Sequence, residues 1–360
     1  QRQMCIRDSM RTRNLFIALT MMTATAAITA CSNDDNLETV DLNKPIDLNL
    51  SIGQPGTNTR ASVSNGGSAS TFTSGDEISL TAVTKAKTGD TPVAIDAEGA
   101  TYRNTLTYTY DTGLPAGEAF YWQNTSDTHS FYAYYPAQTD FPKKADDASY
   151  TYTRSFTLPT TGSNIDNSTL AKLNEANFMY GEKDSKATNK GISLELSHCM
   201  SQITFTVEKG AGYTASEAMP TITKAEILNG SGLYTTGTFS LSTGTVTAST
   251  SGVTAGIEAI TPYRPTATAT TWYAIVFPGQ TFADHSAFIR FTTSDDTSGS
   301  TTYTYNLESA LTCTANTSYN YALKLNRGSV TLSGLTIAKW TKDDKSGNAG
   351  MDFPGTTPQP

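Results

Sequence analysis

Turn residues break this chain about every ten positions, and between them lie short runs in which apolar and polar residues alternate. One series comprises Asp76 to Leu80, Leu106 to Tyr110, Phe131 to Tyr135, Tyr150 to Leu158 and Ile192 to Val207. A second comprises Thr221 to Leu228, Tyr234 to Leu241, Trp272 to Phe277, Ala287 to Thr293, Thr301 to Leu307, Tyr319 to Leu325 and Val330 to Ile337. Many short strands with such punctuation predict an all-β chain of sandwich type. Ahead of both series, Pro45 to Ile52 places Ile46, Leu48, Leu50 and Ile52 on one face with polar residues between them, the pattern of a half-buried strand. A single short helix is expected between Asn167 and Asn177, where Leu170 and Leu173 share a face and Asn167 can cap the start.

Residues ahead of the first strand read as a targeting segment. Arg11 and Arg13 form a positive region, Leu15 to Ala27 is apolar, and Ile28-Thr29-Ala30-Cys31 ends it with small residues. The apolar run is short and threonine-rich for a span of about 20 residues. Residues 10–30 are therefore expected to be a signal peptide, and residues 1–9, which place charge and Cys5 before Met10, to be foreign to it. Cys31 resembles the lipidated cysteine of a bacterial lipobox, so Cys31 is the expected lipid anchor.

Removing residues 1–30 takes away Arg2, Arg7, Arg11 and Arg13 and one acid, Asp8, which turns the net charge of −8 into −11. An acidic chain argues against nucleic acid and anionic headgroups as partners. The roughly 330 residues that follow suit two domains of ordinary size, expected at 32–196 and 197–340, with 341–360 as a flexible tail. Between the first strand and the next lies a long loop rich in Gly, Ser, Thr and Asn, with Arg60-Ala61 at its centre, accessible to a trypsin-like protease.

No catalytic chemistry is legible. His129, His198 and His285 stand in no metal-ligand spacing, and His198, leading into an alternating run, reads as a structural histidine. No nucleophile elbow, phosphate loop or dinucleotide fingerprint follows any strand. Asp284-His285-Ser286 has the residue types of a relay, but neighbours on a strand point to opposite faces. A carboxylate pair for glycoside hydrolysis is left formally open by composition. The expectation is a protein that is not an enzyme and needs no cofactor or metal. Trp122, Tyr132, Tyr134, Tyr135, Tyr108 and Tyr110 are read as core and cross-strand packing, with stacking on sugar rings as the alternative. A disulfide between Cys199 and Cys313 is open in an exported chain, with two small buried thiols as the other reading.

Several ordered motifs together resemble the fimbrillin family of Bacteroidetes, in particular its Mfa-like branch of type V pilus subunits. They are Thr59-Arg60-Ala61, Gly75-Asp76-Glu77-Ile78, Tyr102-Arg103-Asn104, Phe120-Tyr121-Trp122, Ser130 to Pro136, Asn177 to Gly181, Leu194 to Phe205, Tyr319 and Ile337-Ala338-Lys339-Trp340. The resemblance implies two transthyretin-like, Greek-key β-sandwich domains in tandem and a lipoprotein precursor held in the outer membrane. On this likeness Asp34 and Asp35, close behind Cys31, look like a surface-export signal, though a solvated linker has the same composition. It further implies an arginine-specific protease that cuts after Arg60 and removes the strand bearing Ile46, Leu48, Leu50 and Ile52. A strand from another pilin subunit then fills the groove, and the candidate donor bears Val330, Leu332, Leu335 and Ile337, its alternation interrupted at Gly334. The function expected is a structural and adhesive subunit of a surface pilus. The alternative is a surface lipoprotein that binds a host glycan or protein ligand without polymerising.

Overall fold

The computed structural model describes residues 39–52, 72, 74–84, 102–137, 153–249, 257–295 and 299–340. It is all-β apart from one six-residue helix, Leu170–Glu175, among the described residues. In chain order the strands of the first part are β1 (Leu48–Ile52), β2 (Glu77–Thr84), β3 (Tyr102–Thr109), β4 (His129–Tyr135), β5 (Thr153–Thr157), β6 (Thr160–Thr161), β7 (Asn164–Asp166), β8 (Met179–Ser185) and β9 (Ile192–His198). Those of the second part are β10 (Ser201–Lys209), β11 (Thr221–Leu228), β12 (Thr236–Ser240), β13 (Val246–Ala248), β14 (Ala259–Thr261), β15 (Thr271–Val276), β16 (Thr281–Phe282), β17 (Ala287–Asp295), β18 (Gly299–Asn306), β19 (Leu311–Thr312), β20 (Thr317–Asn326) and β21 (Ser329–Lys339).

The first sheet runs β1-β9-β8-β4-β2-β3, and a four-stranded sheet runs β15-β10-β20-β21. Two more sheets, β18-β17-β11-β14-β7-β6 and β13-β12-β5, draw on both parts of the chain. The pairing therefore crosses the expected line at 196/197: β5 pairs with β12, and β7 runs parallel to β14. From Val40 onward the described residues form one unit.

Two apolar clusters explain the sequence of β4. Period-2 alternation sends Phe131, Ala133 and Tyr135 into a smaller cluster with Ile78, Leu80, Phe120 and Trp122. The intervening Tyr132 and Tyr134 enter a larger cluster that reaches Phe239, Phe277 and Trp340. Tyr134 donates to Leu241 O at 2.6 Å and packs edge-on against Phe239. Both faces of β4 are thus buried, and an apolar, aromatic run replaces the usual in-out pattern.

Two local expectations differ from the structure. The stretch Ile192 to Val207 is two strands, because the chain breaks at Cys199-Met200 before β10 pairs with β20 in the other sheet. The helix α1 (Leu170–Glu175) is capped by Thr169, whose side chain accepts from Lys172 N at 3.3 Å. Asn167 is engaged elsewhere, its Oδ1 accepting from Ile275 N at 2.8 Å.

Candidate functional site

Strand β1 occupies the edge of the first sheet and, among the described residues, pairs only with β9, in parallel, from Leu48 opposite Ile192 to Ile52 opposite Leu196. Two backbone bonds lead into this ladder: Ile46 N donates to Phe120 O at 2.9 Å, and Ile192 N to Asp47 O at 2.8 Å. Alternation does the rest. Ile46 and Ile52 are buried in the smaller cluster, Leu48 and Leu50 are half-buried against it, and Asp47, Asn49 and Ser51 face solvent. Val40 and Leu42 of the approach segment pack on the same cluster.

The floor under β1 is fitted to it. Gly191 lies directly beneath the incoming chain: a Cβ there would stand 3.2 Å from Asp47 O and 3.3 Å from Asp47 Cβ. Gly181 of β8 is equally constrained, since a Cβ would collide with the Glu195 carbonyl of β9. Beside Pro45 and Ile46 a small cleft is lined by Trp122, Thr188 and Lys190. Trp122 donates its indole N–H to Thr188 O at 3.0 Å and packs edge-on against His129 and Phe131. The His129 Nε2 accepts from Gln123 N at 3.0 Å, so the ring is neutral with its proton on Nδ1, and burial holds its pKa below the ordinary value despite Asp127.

At the opposite end of the chain, β21 is the edge of the four-stranded sheet and pairs antiparallel with β20 along its length. Its register breaks opposite Ala322/Leu323: Leu332 faces Leu323, while Gly334 faces Ala322 and Leu335 faces Tyr321. Ser333 is the extra residue of the bulge, so Leu335 and Ile337 return to the face of Tyr321 and Tyr319. Val330 and Leu332 pack half-buried on the larger cluster. Leu335 and Ile337 remain 44% and 58% exposed.

Beyond β21 the chain is pinned. Trp340 is buried, and its backbone N–H donates to Asn316 O at 2.8 Å. Its indole stacks on His198 of β9, ring centroids 3.7 Å apart and planes within 2°. The His198 Nδ1 lies 2.7 Å from Asn177 Oδ1, and desolvation pushes the imidazole down to about 3, so it is neutral at ordinary pH.

The remaining expected residues separate clearly. Cys31, Arg60 and Ala61 lie outside the described residues. Cys199 and Cys313, open to a disulfide on sequence grounds, are two free buried thiols, which burial pushes up to about 12. Trp122, Tyr132, Tyr134 and Tyr135 are buried and present no ring face to a sugar. Ser286 donates to Ala283 O at 2.5 Å, away from the exposed pair His285 and Asp284. Among the described residues no three His, Cys, Asp or Glu side chains converge as metal ligands, and no helix is long and apolar enough to cross a membrane. Sequence reasoning reads Trp340 as a packing residue, and the structure buries it; its stacking on His198 is the part the sequence does not show.

Comparison with known proteins agrees with this architecture. The model of the family described as fimbrillin-like matches residues 59–340. The fold is similar to that of a candidate cell adhesion protein of Bacteroides ovatus, with TM-score 0.55 at 19% identity over 84% of this chain and 99% of that one. A candidate cell adhesion protein of Bacteroides uniformis gives TM-score 0.53 at 17% identity, covering 82% of this chain and 99% of the other. No curated protein matches.

Proposed function

This chain belongs to the fimbrillin-like family, and on that premise we propose that it is a structural and adhesive subunit of a cell-surface pilus. It is exported as a lipoprotein, anchored in the outer membrane through Cys31, cut after Arg60 by an arginine-specific protease, and joined to other pilin subunits by strand exchange. Its work is assembly, without a reaction of its own.

The observation that carries this reading is the placement of β1. An edge strand with one partner can leave without passing through the rest of the sheet, yet its apolar side chains are built into a core. Its departure strips the outer ladder groups of residues 192–196 and uncovers the sites of Ile46 and Ile52. Burying each such side chain is worth about 1.5–3 kcal/mol, so an empty groove is strongly disfavoured and a strand from a neighbour restores both ladder and burial. Strand β21, at an edge with two apolar side chains exposed, is the candidate source of that strand.

Replacing Arg60 by Ala tests the trigger. The variant is expected to stay anchored, folded and monomeric under conditions in which the parent chain is cut and polymerises. Polymerisation of Arg60→Ala at the normal rate would refute protease-triggered exchange.

A further inference from the structure

Strand β9 carries two loads at once. Residues 192–196 pair with β1, and only Ser197 and His198 pair in register with β8. His198 is also the residue on which Trp340, at the end of β21, is stacked. When β1 undocks, the pairing left to β9 among the described residues is at its C-terminal end, at Ser197 and His198 and the following Cys199 N–H to Phe178 O, and His198 is the residue that bears the Trp340 contact.

The contact itself is incompletely satisfied. Trp340 Nε1 is buried without a hydrogen-bond partner among the described residues, and so is Asn316 Oδ1, the side chain of the residue whose carbonyl receives the Trp340 amide. Asn316 also sits at φ 54, in the left-handed region. Two orphaned polar atoms and a left-handed residue in one anchor mark a contact whose ring stacking, burial and single backbone bond are partly offset by desolvation. The segment that it holds, residues 335–339, lies beyond the register break at Ser333 with Leu335, Ile337, Ala338 and Lys339 exposed, so its remaining hold is the ladder to β20.

We infer that Trp340 is a release latch, which clamps the outer half of β21 through His198 to β9 and opens when β1 leaves that strand. This rests on the reading of β1 as the strand that departs, and it assigns the regulation of that exchange: the outer half of β21 is withheld until the groove on β9 is vacated. Because coupling between two sites is reciprocal, opening the latch must also loosen β1.

Hydrogen exchange followed by mass spectrometry on the full chain tests both directions. Leu50→Asp drives β1 out by placing a charge against the smaller cluster. It is expected to speed exchange of the 335–339 amides about fivefold or more while leaving 236–240, in the separate β12 sheet, unchanged. Trp340→Ala should speed 335–339 comparably and also speed 48–52. Trp340→Phe, which keeps the stack and removes the orphaned N–H, should protect 335–339 at least as well as the parent. Unchanged 335–339 in Leu50→Asp, unchanged 48–52 in Trp340→Ala, acceleration of 236–240 equal to that of 335–339, or a Phe variant as loose as Ala would each overturn the latch. Failure of cleaved chains to polymerise while the reciprocal coupling holds refutes strand exchange and leaves the latch standing.

Discussion

Strands β1 and β21 are both sheet edges and both bear alternating apolar side chains, yet opposite forces hold them. The first is five residues long, parallel, and fastened by side chains that enter a core. The second is eleven residues long, antiparallel, and fastened by its backbone ladder to β20, with half of its apolar residues in solvent. Length and hydrogen-bond count therefore do not rank the two. Backbone bonds made to β20 largely replace bonds to water, whereas vacating the β1 site uncovers apolar surface that nothing but another strand can cover.

The strongest way to break this contrast is a charge in each edge. Ile52→Asp is expected to lower stability by about 3–5 kcal/mol, read as a fall in the urea midpoint at constant slope, because a carboxylate enters the smaller cluster. Ile337→Asp, at a 58% exposed site, should stay within about 0.5 kcal/mol of the parent. Equal losses would mean that both edges are held alike. A milder probe is Gly191→Val, expected to cost about 1–3 kcal/mol by pressing on Asp47, with faster proteolysis of 40–52 and no change around β21.

Acid supplies a graded effect through His198, spread over several pH units. Its folded pKa lies near 3 against an ordinary value of 6.5, so only the unfolded chain binds the proton between those values. The stabilisation is complete above pH 6.5 and is lost as pH falls toward 3, at up to about 1.4 kcal/mol per pH unit. His129, also held below its ordinary value, adds in the same direction. Asp166, lowered by Lys172, Ser168 and Thr161 against the opposing effect of its burial, adds a loss only once pH falls below the ordinary carboxylate range. Replacing His198 by Gln should flatten the slope between pH 6 and pH 4 by about one proton; an unchanged slope would place the acid sensitivity elsewhere.

Much of the strand content was legible because alternation with turn punctuation is a local signal, and the inward set Ile46, Leu48, Leu50 and Ile52 reads directly from it. What was not legible is non-local. Nothing near Leu48 specifies a parallel partner more than a hundred residues away at Ile192. The pairing of β5 with β12 and of β7 with β14 likewise depends on sheets assembled from distant segments, so a line drawn at 196/197 cuts through them. The cap of α1 was misread because Asn167 and Thr169 are both good caps, and the choice was made by Ile275, which claims the asparagine. The bulge in β21 was visible as the break at Gly334; that it turns Leu335 and Ile337 back to the core-side face of the sheet was not.

The central claim is that β1 is a removable strand whose groove must be refilled. Its most direct measurement is the fate of residues 32–60 when a chain lacking residues 1–31 is cut after Arg60, followed by size-exclusion and intact mass of every species. The account predicts oligomers that have lost this fragment and a fragment recovered free in stoichiometric amount. Oligomers that retain it, or a cleaved chain that keeps it and stays monomeric, would contradict the account.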